Sequence, residues 1–268
     1  MKPLRDRVIV VRGAGEMATG VVCRLFGANL RRIVMLETPA PLAVRRRVSF
    51  CEAVHEGRSV VEGVEAVRIA AAAELPAVWG EGRIAVLVDP KGESIRSIRP
   101  DVLVDATIAK VNLGTSQTDA PLVIALGPGF SAGRDCHVVV ETNRGHDLGR
   151  LIRSGAAAPD TGIPGNIGGY TRERVLRAPA DGVLVPVREI GDAVAQGETI
   201  GRVGEAEVKA TIAGVLRGLI RPGSRVVRGL KIGDIDPRGD AGLCETVSEK
   251  ARALGGAVLE AILAGYNR

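Results

Sequence analysis

Aromatic side chains make up only 2% of the 268 residues, three Phe, two Tyr and one Trp. So few rings leave almost nothing on which to stack bases, which argues against a single-stranded nucleic-acid platform. Cysteine and histidine are scarce as well. Cys23, Cys51, Cys136 and Cys244 lie far apart with no C-x-x-C, and His55, His137 and His146 fall at no familiar ligand spacing, so neither a disulfide framework nor a metal site is expected. No apolar run approaches the roughly 20 residues of a bilayer span. The charged start through Arg7 leads into a short apolar stretch with no cleavage site behind it, and a cytoplasmic protein without membrane association is expected. The net charge of +5 comes mostly from Arg interleaved with acids, and the one dense run is Arg45-Arg46-Arg47. Nucleic acid is therefore not an expected partner.

What is present is 46% hydrophobic residue content and 35 glycines, enough for a core and two domains. The run Val8-Ile9-Val10-Val11 reads as a strand buried on both faces, followed by Gly13-Ala14-Gly15-Glu16-Met17-Ala18-Thr19-Gly20, an apolar helix through Val21, Val22, Leu25 and Phe26, and a second strand at Ile33–Leu36. Strand, glycine turn, helix and strand make a βαβ unit. Gly13, Gly15 and Ala18 fit G-x-G-x-x-A, with Gly13 for the tight turn, Gly15 for close approach to a phosphate and Ala18 for helix packing; Glu37 ends the second strand where an acid accepts from a ribose hydroxyl. The same glycines also serve a plain structural turn, and Glu16 at the helix start would repel a pyrophosphate.

Further strands are read at Ile84–Val88, Val102–Val104, Leu122–Leu126 and His137–Val140. In parallel α/β sheets the loops beyond the strand ends face one crevice. That places Asp105, Thr107, Gly127, Gly129 and Arg144 with the glycine turn as candidate ligand-binding residues, Arg144 as an anion clamp. His146 is a candidate general base held by Glu141, and Cys136, beside Arg134, is the best candidate for a reactive thiol. Asp89 and Asp105 equally suit helix caps, and Thr161–Tyr170 is either a phosphate-cradling loop or a linker.

A different pattern begins in the 170s. Ala178-Pro179-Ala180-Asp181-Gly182-Val183-Leu184 repeats as Ala210-Thr211-Ile212-Ala213-Gly214-Val215-Leu216, a shift of 32 residues, and Gly191, Val194, Gly197, Ile200 and Gly201 fall on Gly223, Val226, Gly229, Ile232 and Gly233. Two such copies interleave into a small all-β module. It resembles the biotinyl/lipoyl barrel-sandwich hybrid, but Lys209 is displaced from the carrier position and lacks flanking methionines, so no covalent biotin or lipoate is expected. Val247–Leu263 has helical apolar spacing. The expected organisation is a Rossmann-like parallel sheet domain over 1–170, a barrel-sandwich domain over 171–240 and a helix packing back over 241–268.

The strings Gly13–Gly20, Arg46-Arg47-Val48-Ser49-Phe50, Val61-Glu62-Gly63-Val64, Gly127-Pro128-Gly129-Phe130, Glu141-Thr142-Asn143-Arg144-Gly145-His146, Thr161-Gly162-Ile163-Pro164-Gly165 and Lys231–Arg238 together resemble the YqeB-type proteins of selenium-dependent molybdenum hydroxylase systems. That resemblance, and a related one to XdhC-like factors, implies an accessory factor maturing a xanthine dehydrogenase-like hydroxylase. Its ligand would be the molybdenum cofactor or a nucleotide such as CTP or NAD. Its partner would be the hydroxylase apoenzyme, with homo-oligomers allowed. The alternatives are a nucleotide-dependent oxidoreductase or transferase acting on the cofactor, and a scaffold joining hydroxylase subunits.

Overall fold

The computed structural model describes residues 2–267, which form two compact units. Unit 1 runs through Pro41, resumes over Ser49–Asp160 and closes with the segment from Val247; unit 2 holds Leu42–Val48 and Thr161–Thr246.

Unit 1 is built on β1 (Ile9–Arg12), α1 (Glu16–Gly27), β2 (Ile33–Glu37), α2 (Ala53–Glu56), β3 (Arg58–Val61), β4 (Val64–Ile69), α3 (Leu75–Gly80), β5 (Ile84–Val88), α4 (Ile95–Ile98), β6 (Val102–Asp105), β7 (Leu122–Leu126), β8 (Ser131–Ala132), β9 (Val138–Val140), β10 (Leu151–Ile152) and β11 (Gly155–Ala156). All four residues of β1 and all five of β7 are buried, as continuous apolar runs in the middle of a covered sheet must be. The main sheet has nine strands in the order β10-β9-β7-β6-β1-β2-β5-β4-β3. Strand β1 pairs in parallel with β2 on one side and β6 on the other, with Ile9 level with Ile33 and Val102. The chain builds outward from β1 through β2, then returns to β6, so the β1/β6 boundary is a switch point of the topology. A separate pair, β8 and β11, lies in the same unit.

The expected Rossmann-like parallel sheet is corrected here. The sheet is mixed: β3 runs antiparallel to β4, and β10 antiparallel to β9. The physical reason lies in the connections. Between β3 and β4 stand only Glu62 (φ 49) and Gly63 (φ 80), both left-handed, a two-residue turn that reverses the chain and cannot support a parallel crossover.

The last helix, α5 (Glu249–Tyr266), completes unit 1. Ser248 caps it by accepting the Ala251 N–H at 3.4 Å, and Ala251, Leu254, Ala257, Val258, Ala261 and Ile262 form its buried stripe. Glycines allow very close packing on α1. A Cβ on Gly20 would stand 2.6 Å from the Ala251 Cβ, and one on Gly255 would stand 2.8 Å from the Gly20 carbonyl oxygen and 2.9 Å from the Arg24 Cβ. The pairs 20/251 and 24/255 advance together, so the two helices run parallel. Both start at the carboxyl edge of the sheet, and at its far end Tyr266 donates to the Asp101 carbonyl, just before β6.

Unit 2 contains β12 (Val175–Arg177), β13 (Gly182–Pro186), β14 (Ala193–Val194), β15 (Thr199–Val203), β16 (Ala206–Lys209), β17 (Gly214–Leu219), β18 (Arg225–Val226) and β19 (Lys231–Asp236). The repeat is visible in its core, where the equivalent residues Leu184 and Leu216, Val194 and Val226, and Ile200 and Ile232 are all buried. The lipoyl-like barrel-sandwich expectation is corrected. The strands form two four-stranded antiparallel sheets, β12-β19-β17-β14 and β16-β15-β13-β18, and the first recruits β12 from outside the repeat. It also carries a charged cluster: Asp234 accepts from Arg174 and from Arg217 Nη2 at 2.6 Å, while Asp236 accepts from Arg217 Nη1 at 3.1 Å and Arg238 Nη2 at 2.6 Å. Buried carboxylates need such paired partners.

Candidate functional site at the carboxyl edge of the sheet

The site begins with the turn after β1. Gly13 takes φ +90, a conformation that a side chain disfavours, and a Cβ there would lie 3.1 Å from the Ala106 carbonyl oxygen and 3.2 Å from the Thr107 Cα. The turns after β1 and β6 are thus pressed together at the switch point. Gly15 is the N-cap of α1 and Ala18 is buried in its first turn. Glu37 is fully engaged with the backbone: one carboxylate oxygen accepts the Ala14 N–H at 2.8 Å, the other the Thr38 N–H at 2.7 Å. It fixes the glycine turn itself.

Asp105, at the end of β6, is buried. It accepts from Thr115 Oγ1 at 2.6 Å and Thr107 Oγ1 at 2.7 Å, and pairs with Arg12 at 3.5 Å. Arg12 in turn donates to Thr115 Oγ1 at 2.5 Å and to the Leu113 carbonyl at 3.1 Å. These bonds pin a loop with a costly backbone, because Ile108 (φ 54) and Lys110 (φ 64) are both left-handed. A β-branched residue there carries strain that persists only where its surroundings over-determine it. The loop is also clamped from the other side. Gly129 (φ +105) has no room for a Cβ, which would stand 2.7 Å from the Lys110 carbonyl carbon and the Val111 nitrogen, and Lys110 Nζ pairs with Asp160 at 2.7 Å. Gly127 (φ +79) lies as tightly against Thr142 Oγ1, at 2.5 Å from a built Cβ.

Glu141 and His146 share a loop but are not brought together. The Glu141 carboxylate accepts the Asn143 N–H at 2.6 Å and the Ala158 N–H at 2.7 Å, whereas His146 is exposed. Cys136 is completely buried, and burial, aided by the Asp135 charge, pushes its thiol up to about 11. A thiol so protonated is a poor nucleophile. Arg144 pairs through Nη2 with Glu249 at 2.7 Å, while its Nε is shut off from solvent and has no hydrogen-bond partner.

The residue that sequence reading missed is Lys250, in the first turn of α5. It is only partly exposed, and among the described residues it makes no hydrogen bond and no ion pair. Desolvation, and then the Arg144 charge, lower its pKa from the ordinary lysine value; Glu16, Glu141 and Asp160 act in the opposite sense. The acceptor atoms of those acids are drawn elsewhere: Glu141 to two amides, Asp160 to Lys110, and Glu16 to the Ser248 N–H at 3.1 Å. The available signal was a cation in a helix's first turn, where the macrodipole disfavours it. On the β5 side, a cavity of about 280 Å³ is lined by Arg12, Lys91, Gly92, Glu93, Arg96 and Gly114 among others. Among the described residues no group of three His, Cys, Asp or Glu is placed to hold a metal ion, and no helix is long and apolar enough to cross a membrane.

Fold and site together define a mixed α/β chain with a strained, clamped loop at its switch point and unmet cationic donors beside it. No family model matches it. It is 48% identical over 261 residues to the uncharacterized protein YqeB of Escherichia coli strain K12, an alignment covering 97% of this chain and 48% of that protein. The chain thus spans about half the length of the curated relative it matches, and it is similar to YqeB along nearly all of its own. That match does not show the XdhC-like likeness or the link to selenium-dependent hydroxylases. Among solved structures, matches include an aspartoacylase family protein of Mesorhizobium loti (11% identity, 80% of this chain and 59% of that one, TM-score 0.25). Others are the ectoine utilization protein EutE of Ruegeria pomeroyi (14%, 79% and 60%, TM-score 0.24) and a succinylglutamate desuccinylase of Silicibacter (13%, 85% and 84%, TM-score 0.26). These overlaps are too slight to transfer an activity. The expectation of a molybdenum hydroxylase maturation factor is not carried forward: the solved structures that match bear aspartoacylase, ectoine utilization and succinylglutamate desuccinylase names.

Proposed function

We propose that unit 1 binds a small molecule bearing a single carboxylate at the carboxyl edge of the sheet, where α1 and α5 begin. The observation that carries this reading is the pair of unmet donors, Lys250 Nζ and Arg144 Nε. Desolvated donors left without acceptors cost stability, and an anion supplies what they lack. The parallel α1 and α5 add two positive dipole ends at the same place. Glu16, Glu141 and Asp160 limit the charge that fits. A monoanion is accommodated, whereas a pyrophosphate would meet three carboxylates at close range.

The test is a thermal-shift titration with acetate, lactate, succinate and inorganic pyrophosphate. A ligand at 100 times its dissociation constant adds about 2.7 kcal/mol. Stabilisation by a carboxylate that disappears in both Lys250→Met and Arg144→Met is expected. A shift that survives both substitutions, or none with any carboxylate at tens of millimolar, overturns the reading.

A further inference from the structure

The same corner of the molecule holds an amine with unusual chemistry. A lysine serves as a nucleophile when its nitrogen lone pair is free, which requires a neutral amine that is not engaged as a donor. Lys250 lacks an acceptor, and its burial beside a second cation favours the neutral amine. No described residue takes a hydrogen bond from it, α5 holds its backbone in the first turn behind a capped N-terminus, and the guanidinium of Arg144 is the cation whose charge reaches it. The close α1–α5 seam at Gly20 and Gly255 keeps that turn from drifting. Beside the amine, the buried Nε of Arg144 still lacks an acceptor.

We propose that Lys250 forms an imine with a small 2-oxo acid or an aldehyde acid, whose carboxylate is held by Arg144. This deepens the carboxylate reading above and rests on it. In a 2-oxo acid the carbonyl carbon adjoins the carboxylate, so one small molecule spans the guanidinium and the amine. The Lys250 nitrogen attacks the carbonyl carbon, the C=O electron pair moves to oxygen, and that oxygen takes a proton to give a carbinolamine. Loss of the hydroxyl as water forms the C=N bond. The balance is amine plus carbonyl giving imine plus water, with no oxidant or reductant. Both protons of the water that leaves come from the Lys250 nitrogen and are carried by solvent.

The full chain is incubated near pH 7 with glyoxylate, pyruvate or propanal, treated with sodium cyanoborohydride, and mapped by peptide mass spectrometry. Lys2, Lys91, Lys110, Lys209 and Lys231 serve as internal controls. The expected result is at least tenfold more secondary-amine adduct at Lys250 than at any other lysine, from the oxo acids and not from propanal. Lys250→Arg, which keeps the charge, loses it. Arg144→Met retains a reactive amine but loses the preference for acids. Even labelling across the lysines overturns the imine, and equal labelling of Lys250 by propanal overturns the acid requirement. If acetate still stabilises the protein through Lys250 and Arg144 while no adduct forms, the imine fails and the carboxylate site stands. If neither occurs, both fail.

Discussion

The Ser248 N–H donates to Glu16 Oε1 at 3.1 Å, tying the cap of α5 to the first turn of α1 across 232 positions of sequence. Two parallel helices carry like dipole ends side by side, and a carboxylate between them offsets that repulsion. Glu16→Gln removes the charge but keeps an acceptor. It should lower stability by about 0.3–1 kcal/mol in low salt and less in high salt. Urea melts at two ionic strengths check this, and a loss independent of salt would contradict it.

Gly20 has no space for a side chain against Ala251. Gly20→Val should cost about 1–3 kcal/mol by overpacking, seen as a lower urea midpoint. An unchanged midpoint would mean that the helices do not pack this closely.

Asp234 takes charge from both Arg174 and Arg217. Asp234→Ala takes a carboxylate from two buried guanidiniums, leaving Arg217 with Asp236 and Arg174 with the Gly165 carbonyl, and should cost about 3 kcal/mol. Adding Arg217→Met should recover part of the loss, because the charges are coupled. A double variant showing simple additivity, measured by denaturation of all four proteins in the cycle, argues against the network.

Lys250 is desolvated without a partner, so its burial disfavours the charged form. Its folded pKa lies below the ordinary value of 10.5. The unfolded state then holds the proton more tightly, and stability from this group rises with pH only between the folded value and 10.5. At neutral pH the group is a burden, so Lys250→Met, which keeps the packed stem, should raise the melting temperature while abolishing the carboxylate response. Calorimetry checks both halves, and a destabilised Lys250→Met variant would sink the idea of an unmet donor.

Asp236 behaves oppositely. Burial would raise its carboxyl, but hydrogen bonds from Arg238 and the Arg217 charge hold it below the ordinary value of 3.8. Its contribution is complete above 3.8 and lost as pH falls through the lower folded value. Asp236→Asn should therefore cost stability at pH 7 and progressively less on acidification below 3.8; a constant difference across that range would count against it.

Much of the scaffold could be read from residues. Continuous apolar runs such as Ile9–Val11 and Leu122–Leu126 announce covered strands, and the helical apolar spacing over Val247–Leu263 announces α5. Strand direction was less legible at the sheet margins. β10 is only Leu151–Ile152, too short to carry a pattern, and its antiparallel pairing is set by the long turn after Glu141. The site was half legible. Gly13 and Gly129 announce special backbone, but only the fold shows that they clamp the loop bearing Ile108 and Lys110. Glu37, Asp105 and Glu141 are the residue types that ligands need, and the backbone uses the same carboxylate chemistry first. Lys250 stayed hidden because a lysine in an amphipathic tail reads as a solvated face until the chain is folded around it.

Unit 1 is discontinuous, with α5 supplied only after all of unit 2 has been made. On the ribosome, the α1 face at Gly20 and the parts of β7 and β9 that α5 packs on therefore wait uncovered while unit 2 emerges and folds. The corner containing Lys250 is completed only after the whole of unit 2 has been made. Premature termination anywhere in unit 2 leaves an apolar surface without its lid, a species suited to capture by chaperones and proteases rather than to partial function.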